Sequence, residues 1–179
     1  MRLPLPLDRE LPDWLKRAGL RELLAVFAKT FGVDAPDVSR MAYPDALSAF
    51  REFTAACMEE ALSSPAYASV KRGELEDRAR RLGKRVRAVL APRDGELGGL
   101  ISALYATIGI DVEDGGGGRL LFRRCYFSGR YTPGLCAFMS ALDSGFVGGL
   151  AGGKELRFEA RITEGDPCCV ALMVERSAS

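Results

Sequence analysis

The sequence predicts an α+β protein, in which a helical N-terminal half packs with a C-terminal strand–helix–β-hairpin module that forms an antiparallel sheet. Three observations predict it. Apolar residues recur at three- and four-residue spacing through the first 108 residues. The period drops to two along 155–163. Glycine and proline clusters punctuate the changeover at 114–118 and again at 152–153 and 165–167. With 179 residues, 47% of them hydrophobic and 27% charged, the chain is long and apolar enough to bury a core of useful size. Residues 1–65 read as an N-terminal helical segment and 66–179 as the α+β module, within one compact domain overall.

The elements follow in order. A first helix opens at Leu11-Pro12-Asp13-Trp14, where Asp13 suits a first-turn acid, and Leu20, Leu23, Leu24 and Phe27 form its stripe. Gly32 ends it. Pro44-Asp45 opens a second helix with Ala46, Phe50, Phe53, Ala56 and Cys57 on one side, broken at Ser63-Ser64-Pro65. A third covers about 66–90, with a possible interruption at Gly73 and a buried stripe of Leu75, Ala79, Leu82, Val86 and Val89. After the turn at Pro92-Arg93-Asp94-Gly95, a fourth spans about 96–108. Residues 114–118 read as a turn, because four glycines propagate neither helix nor strand cheaply. Leu120-Leu121-Phe122-Arg123 is a short strand leading into Cys125. Thr132-Pro133-Gly134 opens a helix to about Gly149, with Pro133 suited to its first turn. Leu156, Phe158, Ala160 and Ile162 alternate as a half-buried strand, Gly165-Asp166-Pro167 turns the chain, and 169–174 returns as its partner.

Composition excludes several classes of function. A net charge of +1 exerts no global pull toward nucleic acid or an anionic membrane. No apolar run reaches the length of a membrane span, and the N-terminus, Met1-Arg2-Leu3-Pro4-Leu5-Pro6-Leu7-Asp8, is too short and proline-broken for a signal peptide. A cytoplasmic location is expected, where the five cysteines stay thiols. The basic residues of the third helix, among them Arg72, Arg78, Arg81 and Arg85, are interleaved with Glu74, Glu76 and Asp77, as in a solvated face rather than a phosphate-binding one. The glycines of 115–118 lack the following helix and lysine of a phosphate loop.

The chain contains no histidine, and four of its five cysteines, Cys125, Cys136, Cys168 and Cys169, fall in the last third. Chemistry there must run on thiols, carboxylates, arginines and backbone amides. Cys136, Ser140 and Asp143 are spaced by four and three residues and share one helical face. A buried Asp143 needs a partner, for which Arg123, Arg124, Arg130 and Arg161 are candidates. Cys136 lies in the first turn of its helix, where backbone N–H groups favour a thiolate; the alternative is a thiol packed as a small hydrophobe. Alternation sends Cys168 and Cys169 to opposite faces, Cys168 with Val170, Leu172 and Val174 on the side read as core, and Cys169 with Ala171 and Met173. Cys57 on an apolar stripe reads as core. The cysteine spacing lacks the paired ligands of zinc sites, so no metal ligand is assigned and no cofactor is expected, zinc being the alternative.

Arg124-Cys125-Tyr126-Phe127, Cys136 with Ser140 and Asp143, and Thr163-Glu164-Gly165-Asp166-Pro167-Cys168-Cys169 together resemble the L-2-amino-thiazoline-4-carboxylic acid hydrolase family. They are also similar to 4-vinyl reductase-type small-molecule-binding domains, which close on a Gly-Asp-x-x-Cys element. The resemblance spans about residues 70–175 and implies an α+β fold with a ligand pocket near the cysteines. For the hydrolase it implies opening a C–N or C–S linkage of a small cyclic cysteine-derived substrate. Catalysis would then rest on Cys136 or Cys169 as nucleophile and on Asp143 to orient it or activate water. Arg124 and Arg161 would hold a substrate carboxylate, and Cys125, Ser140 and Cys168 would complete the substrate site. The alternative is a non-catalytic ligand-, metal- or redox-sensing domain, and an interaction module using the basic helix ranks third. A small-molecule ligand is the expected partner, with no nucleic acid or membrane, and a homodimer is left open.

Overall fold

The computed structural model describes residues 11–175. The proline-broken N-terminal residues 1–8 lie outside the described residues. Among the described residues, five α-helices and a four-stranded antiparallel sheet make up the fold. The first three helices are α1 (Asp13–Phe31), α2 (Tyr43–Leu62) and α3 (Pro65–Leu90). Gly32 closes α1 at φ +71°, and its N–H donates to the Ala28 carbonyl at 2.8 Å. α3 runs unbroken through Gly73, beside which there is open space. A short 3-10 turn, Asp94–Glu96, leads into α4 (Leu97–Ala106).

The sheet contains one strand more than the sequence predicts. β1 (Ile110–Gly116) pairs with β2 (Arg119–Cys125) as a tight hairpin, so the glycine run begins inside a strand and only Gly117 and Gly118 make the turn. Ile110 and Val112 are buried and Asp111 and Glu113 exposed, the alternation of a half-buried strand. After α5 (Pro133–Leu150) come β3 (Lys154–Ala160) and β4 (Cys169–Glu175), giving the order β1-β2-β4-β3.

α5 occupies the middle of the molecule, packed against α3 on one side and β3 on the other. Eleven of its residues are buried, as expected of a helix that is apolar or small nearly all round. Its glycines decide how close it comes to α3. A Cβ at Gly145 would lie 2.2 Å from the Glu76 carbonyl oxygen, one at Gly149 2.3 Å from that of Arg80, and one at Gly83 on α3 2.1 Å from that of Phe146. The two backbones therefore touch along a seam of glycines four residues apart. Arg80, read from sequence as part of a solvated basic face, is buried beside this seam and held by Glu76 at 2.6 Å.

One core runs from Leu20 on α1 to Ala171 on β4. Phe27, Phe50, Leu75, Leu120 and Leu150 are fully buried in it, each contributing about 1.5–3 kcal/mol.

Candidate functional site

Thr132 caps α5, its hydroxyl accepting the Leu135 N–H at 3.3 Å while its carbonyl accepts the Cys136 N–H at 2.9 Å. From this anchored start, Cys136, Ser140 and Asp143 turn toward the sheet and line one cavity of about 60 Å³. Cys125 at the end of β2 and Cys169 at the start of β4 join them from the sheet side. Phe50, Phe122, Phe127 and Phe158, with aliphatic residues and two tyrosines, supply the remaining wall. Of the eight site residues expected from sequence, five converge here.

The other three lie elsewhere. Arg124 is largely exposed and pairs with Asp111 at 2.9 Å on the surface of the β1–β2 hairpin. Cys168 does not line the cavity and lies beside the Arg123 guanidinium. The core side of β4 is the side of Cys169 and Ala171, opposite to that read from hydropathy. The reason is volume. β4 is a central strand, and Leu120 and Phe158 flank Ala171 while Phe122 flanks Cys169, so large neighbours leave room only for small side chains. Val170, Leu172 and Val174 accordingly fall on the open face, half-buried or nearly so. Arg161 lies at the edge of the cavity rather than in its wall. Its guanidinium stacks 5.0 Å from the Phe158 ring centroid, donates to Ser140 Oγ at 3.3 Å and pairs with Glu164 at 3.6 Å.

The partner of Asp143 is a tyrosine. The buried Tyr105 hydroxyl donates to Asp143 Oδ1 at 2.8 Å. Three of the four arginines expected from sequence are engaged elsewhere, Arg123 with Glu113, Arg124 with Asp111 and Arg130 with Glu52 and Glu59, and only the charge of Arg161 acts on Asp143. Burial raises Asp143 to about 6, and the Tyr105 hydrogen bond and the charge of Arg161 only partly offset it. Sequence reasoning missed Tyr105, although a tyrosine in the apolar α4 requires a partner for its hydroxyl. The second cavity tyrosine, Tyr131, is satisfied separately by the Thr54 hydroxyl at 2.6 Å.

The thiols are neutral at rest. Burial pushes Cys125 up to about 12 and also raises Cys136 and Cys169. This corrects the expectation of a Cys136 thiolate at the helix N-terminus. Pro133 has no N–H to offer, and those of Leu135 and Cys136 are already bonded to Thr132. Thr163 and Arg161 lower Cys136, and the Ile162 N–H, donating to Cys169 Sγ at 3.3 Å, lowers Cys169, but burial dominates both. Cys136 and Asp143 are seven residues apart, a helical rise of about 10 Å. They flank the cavity and share no hydrogen bond among the described residues. The Ser140 hydroxyl donates to the Cys136 carbonyl at 3.0 Å and accepts from the Arg161 guanidinium at 3.3 Å.

Among the described residues, no three His, Cys, Asp or Glu side chains converge as metal ligands, and no helix is long and apolar enough to cross a membrane. No family model matches the chain, and neither does any curated protein or solved structure.

Proposed function

We propose that the protein is a small-molecule hydrolase of the aminothiazoline-carboxylate type, with Asp143 as the group that activates water. The observation that carries this reading is the Tyr105–Asp143 pair: a half-buried carboxyl group raised to about 6, oriented by a donated hydrogen bond, facing a cavity lined by three thiols. A base with a pKa near 6 is ionised at neutral pH and is a stronger proton acceptor than an ordinary aspartate. The carboxylate takes a proton from water as the oxygen adds to the ring carbon. Asp143 passes that proton to the nitrogen of the attacked C=N group; the C–N or C–S bond then breaks as the new hydroxyl becomes the carbonyl, its proton passing through Asp143 to the departing heteroatom.

In this account the thiols line and orient, because a thiol raised above 9 is less than about 1% ionised at pH 7. Arg161, held at the cavity edge, is the cation for a substrate carboxylate. Turnover of 2-aminothiazoline-4-carboxylate by purified protein is the direct test. Asp143→Asn is expected to lower kcat at least 100-fold and Cys136→Ala to retain a tenth or more. Loss of activity in Cys136→Ala with retention in Asp143→Asn would instead make the thiol the nucleophile.

The resting neutrality of all three cavity thiols favours a second reading, a binding domain without chemistry. Saturable binding of the same compound with no turnover by wild-type protein would select it.

A further inference from the structure

A second cavity, of about 130 Å³, lies on the far side of Asp143. α1, α3, α4 and α5 enclose it through Leu23, Leu82, Val86, Leu104 and Phe146. Tyr105 and Asp143 line both cavities, so their hydrogen bond stands in the wall between them. Glu22, the charged residue in its lining from α1, reaches across to pair with Arg85 of α3 at 3.1 Å. Both partners are mostly exposed, so the pair ties α1 to α3 only weakly.

Volume decides what the two spaces do. The thiol cavity alone, at about 60 Å³, holds a few waters or only part of a ring-bearing ligand. An apolar cavity of about 150 Å³ is the size that takes up benzene, and only the two spaces together exceed it. A ligand with its polar head among the thiols must therefore extend past Asp143, into a compartment whose walls are aliphatic and aromatic. We propose that the α1–α3–α4–α5 cavity is the second compartment of the ligand site, holding an apolar arm of about four carbons on a ligand whose head lies between Cys136 and Asp143. This rests on the thiol cavity being a ligand site, but not on the hydrolysis proposed for it. Asp143 then sits at the junction of head and arm.

Alkyl methanethiosulfonates test it. A protein thiolate attacks their sulfenyl sulfur, keeps the alkylthio group as a disulfide and releases methanesulfinate. The rate of butyl over methyl transfer is read by peptide mass mapping at Cys125, Cys136 and Cys169, with Cys168, outside both cavities, as internal reference. The ratio at one or more cavity thiols is expected to exceed that at Cys168 at least fivefold, and to fall to the reference in Val86→Phe or Leu104→Phe, which fill the second compartment. A wild-type ratio no higher than at Cys168, or one that survives in every folded variant, overturns the proposal. In butyl-labelled wild-type protein, nuclear Overhauser contacts from the chain to the Val86 or Leu104 methyls locate the arm without a substitution; their presence supports the proposal and their absence counts against it. Labelling needs no turnover, so a failure here and a failure of the hydrolase reading remain distinct.

Discussion

At Asp143 a carboxyl group is both withdrawn from most of the solvent and set to ionise near neutral pH, and the two demands conflict. Its folded value of about 6 lies above the ordinary 3.8. Between about pH 4 and 6 the native state therefore holds a proton that the unfolded chain has released, and native stability falls as pH rises through that window. Above it the ionised carboxylate costs up to about 3 kcal/mol. Asp143→Asn keeps an acceptor for the Tyr105 hydroxyl and removes the charge. It should be more stable than wild type at pH 7 by up to that amount and no more stable at pH 4, as read from urea unfolding at the two pH values. An equal effect at both would refute the linkage. Tyr105→Phe removes the donated hydrogen bond that lowers Asp143, so its carboxyl should titrate above the wild-type value. The shared face of Cys136, Ser140 and Asp143 was legible from spacing alone. Tyr105 was not, because it comes from 38 residues away and only tertiary packing brings it in.

At the scale of elements, the glycines separate into those that packing requires and those it does not. Gly145 and Gly149 admit no Cβ without moving α3 off α5. Gly145→Ala should destabilise the protein by about 1–3 kcal/mol or more, whereas Gly73→Ala, facing open space within α3, should stabilise it by about 0.5–1 kcal/mol. Thermal unfolding of the two variants checks both signs. The helices and the β3–β4 hairpin were readable because their periodicities are local. β1 was not, since Gly115 and Gly116 resemble the turn they precede. The facing of β4 was misread because aliphatic residues alternate with small ones, and which set faces inward depends on the bulk of Leu120, Phe122 and Phe158 on neighbouring strands.

At the scale of the whole molecule, the fold brings residues from α2, α4, α5 and all four strands around one small cavity. That arrangement sorts the cysteines. Cys168 should react with iodoacetamide at pH 7.5 at least tenfold faster than Cys57, Cys125, Cys136 or Cys169, which are buried or cavity-lining and, by burial, raised. In urea the five should converge; an unequal order in urea, or a fast Cys136 in the native protein, would contradict the placement. The cavity owes its distinctive chemistry to one carboxyl group held in an apolar wall by one tyrosine. The most direct test is a carbon-13 titration of the aspartate side-chain carboxyls, with the Asp143 signal assigned by its loss in Asp143→Asn. A midpoint near 6 is predicted; a midpoint near 3.8 would mean an ordinary solvated carboxylate and would contradict the site described.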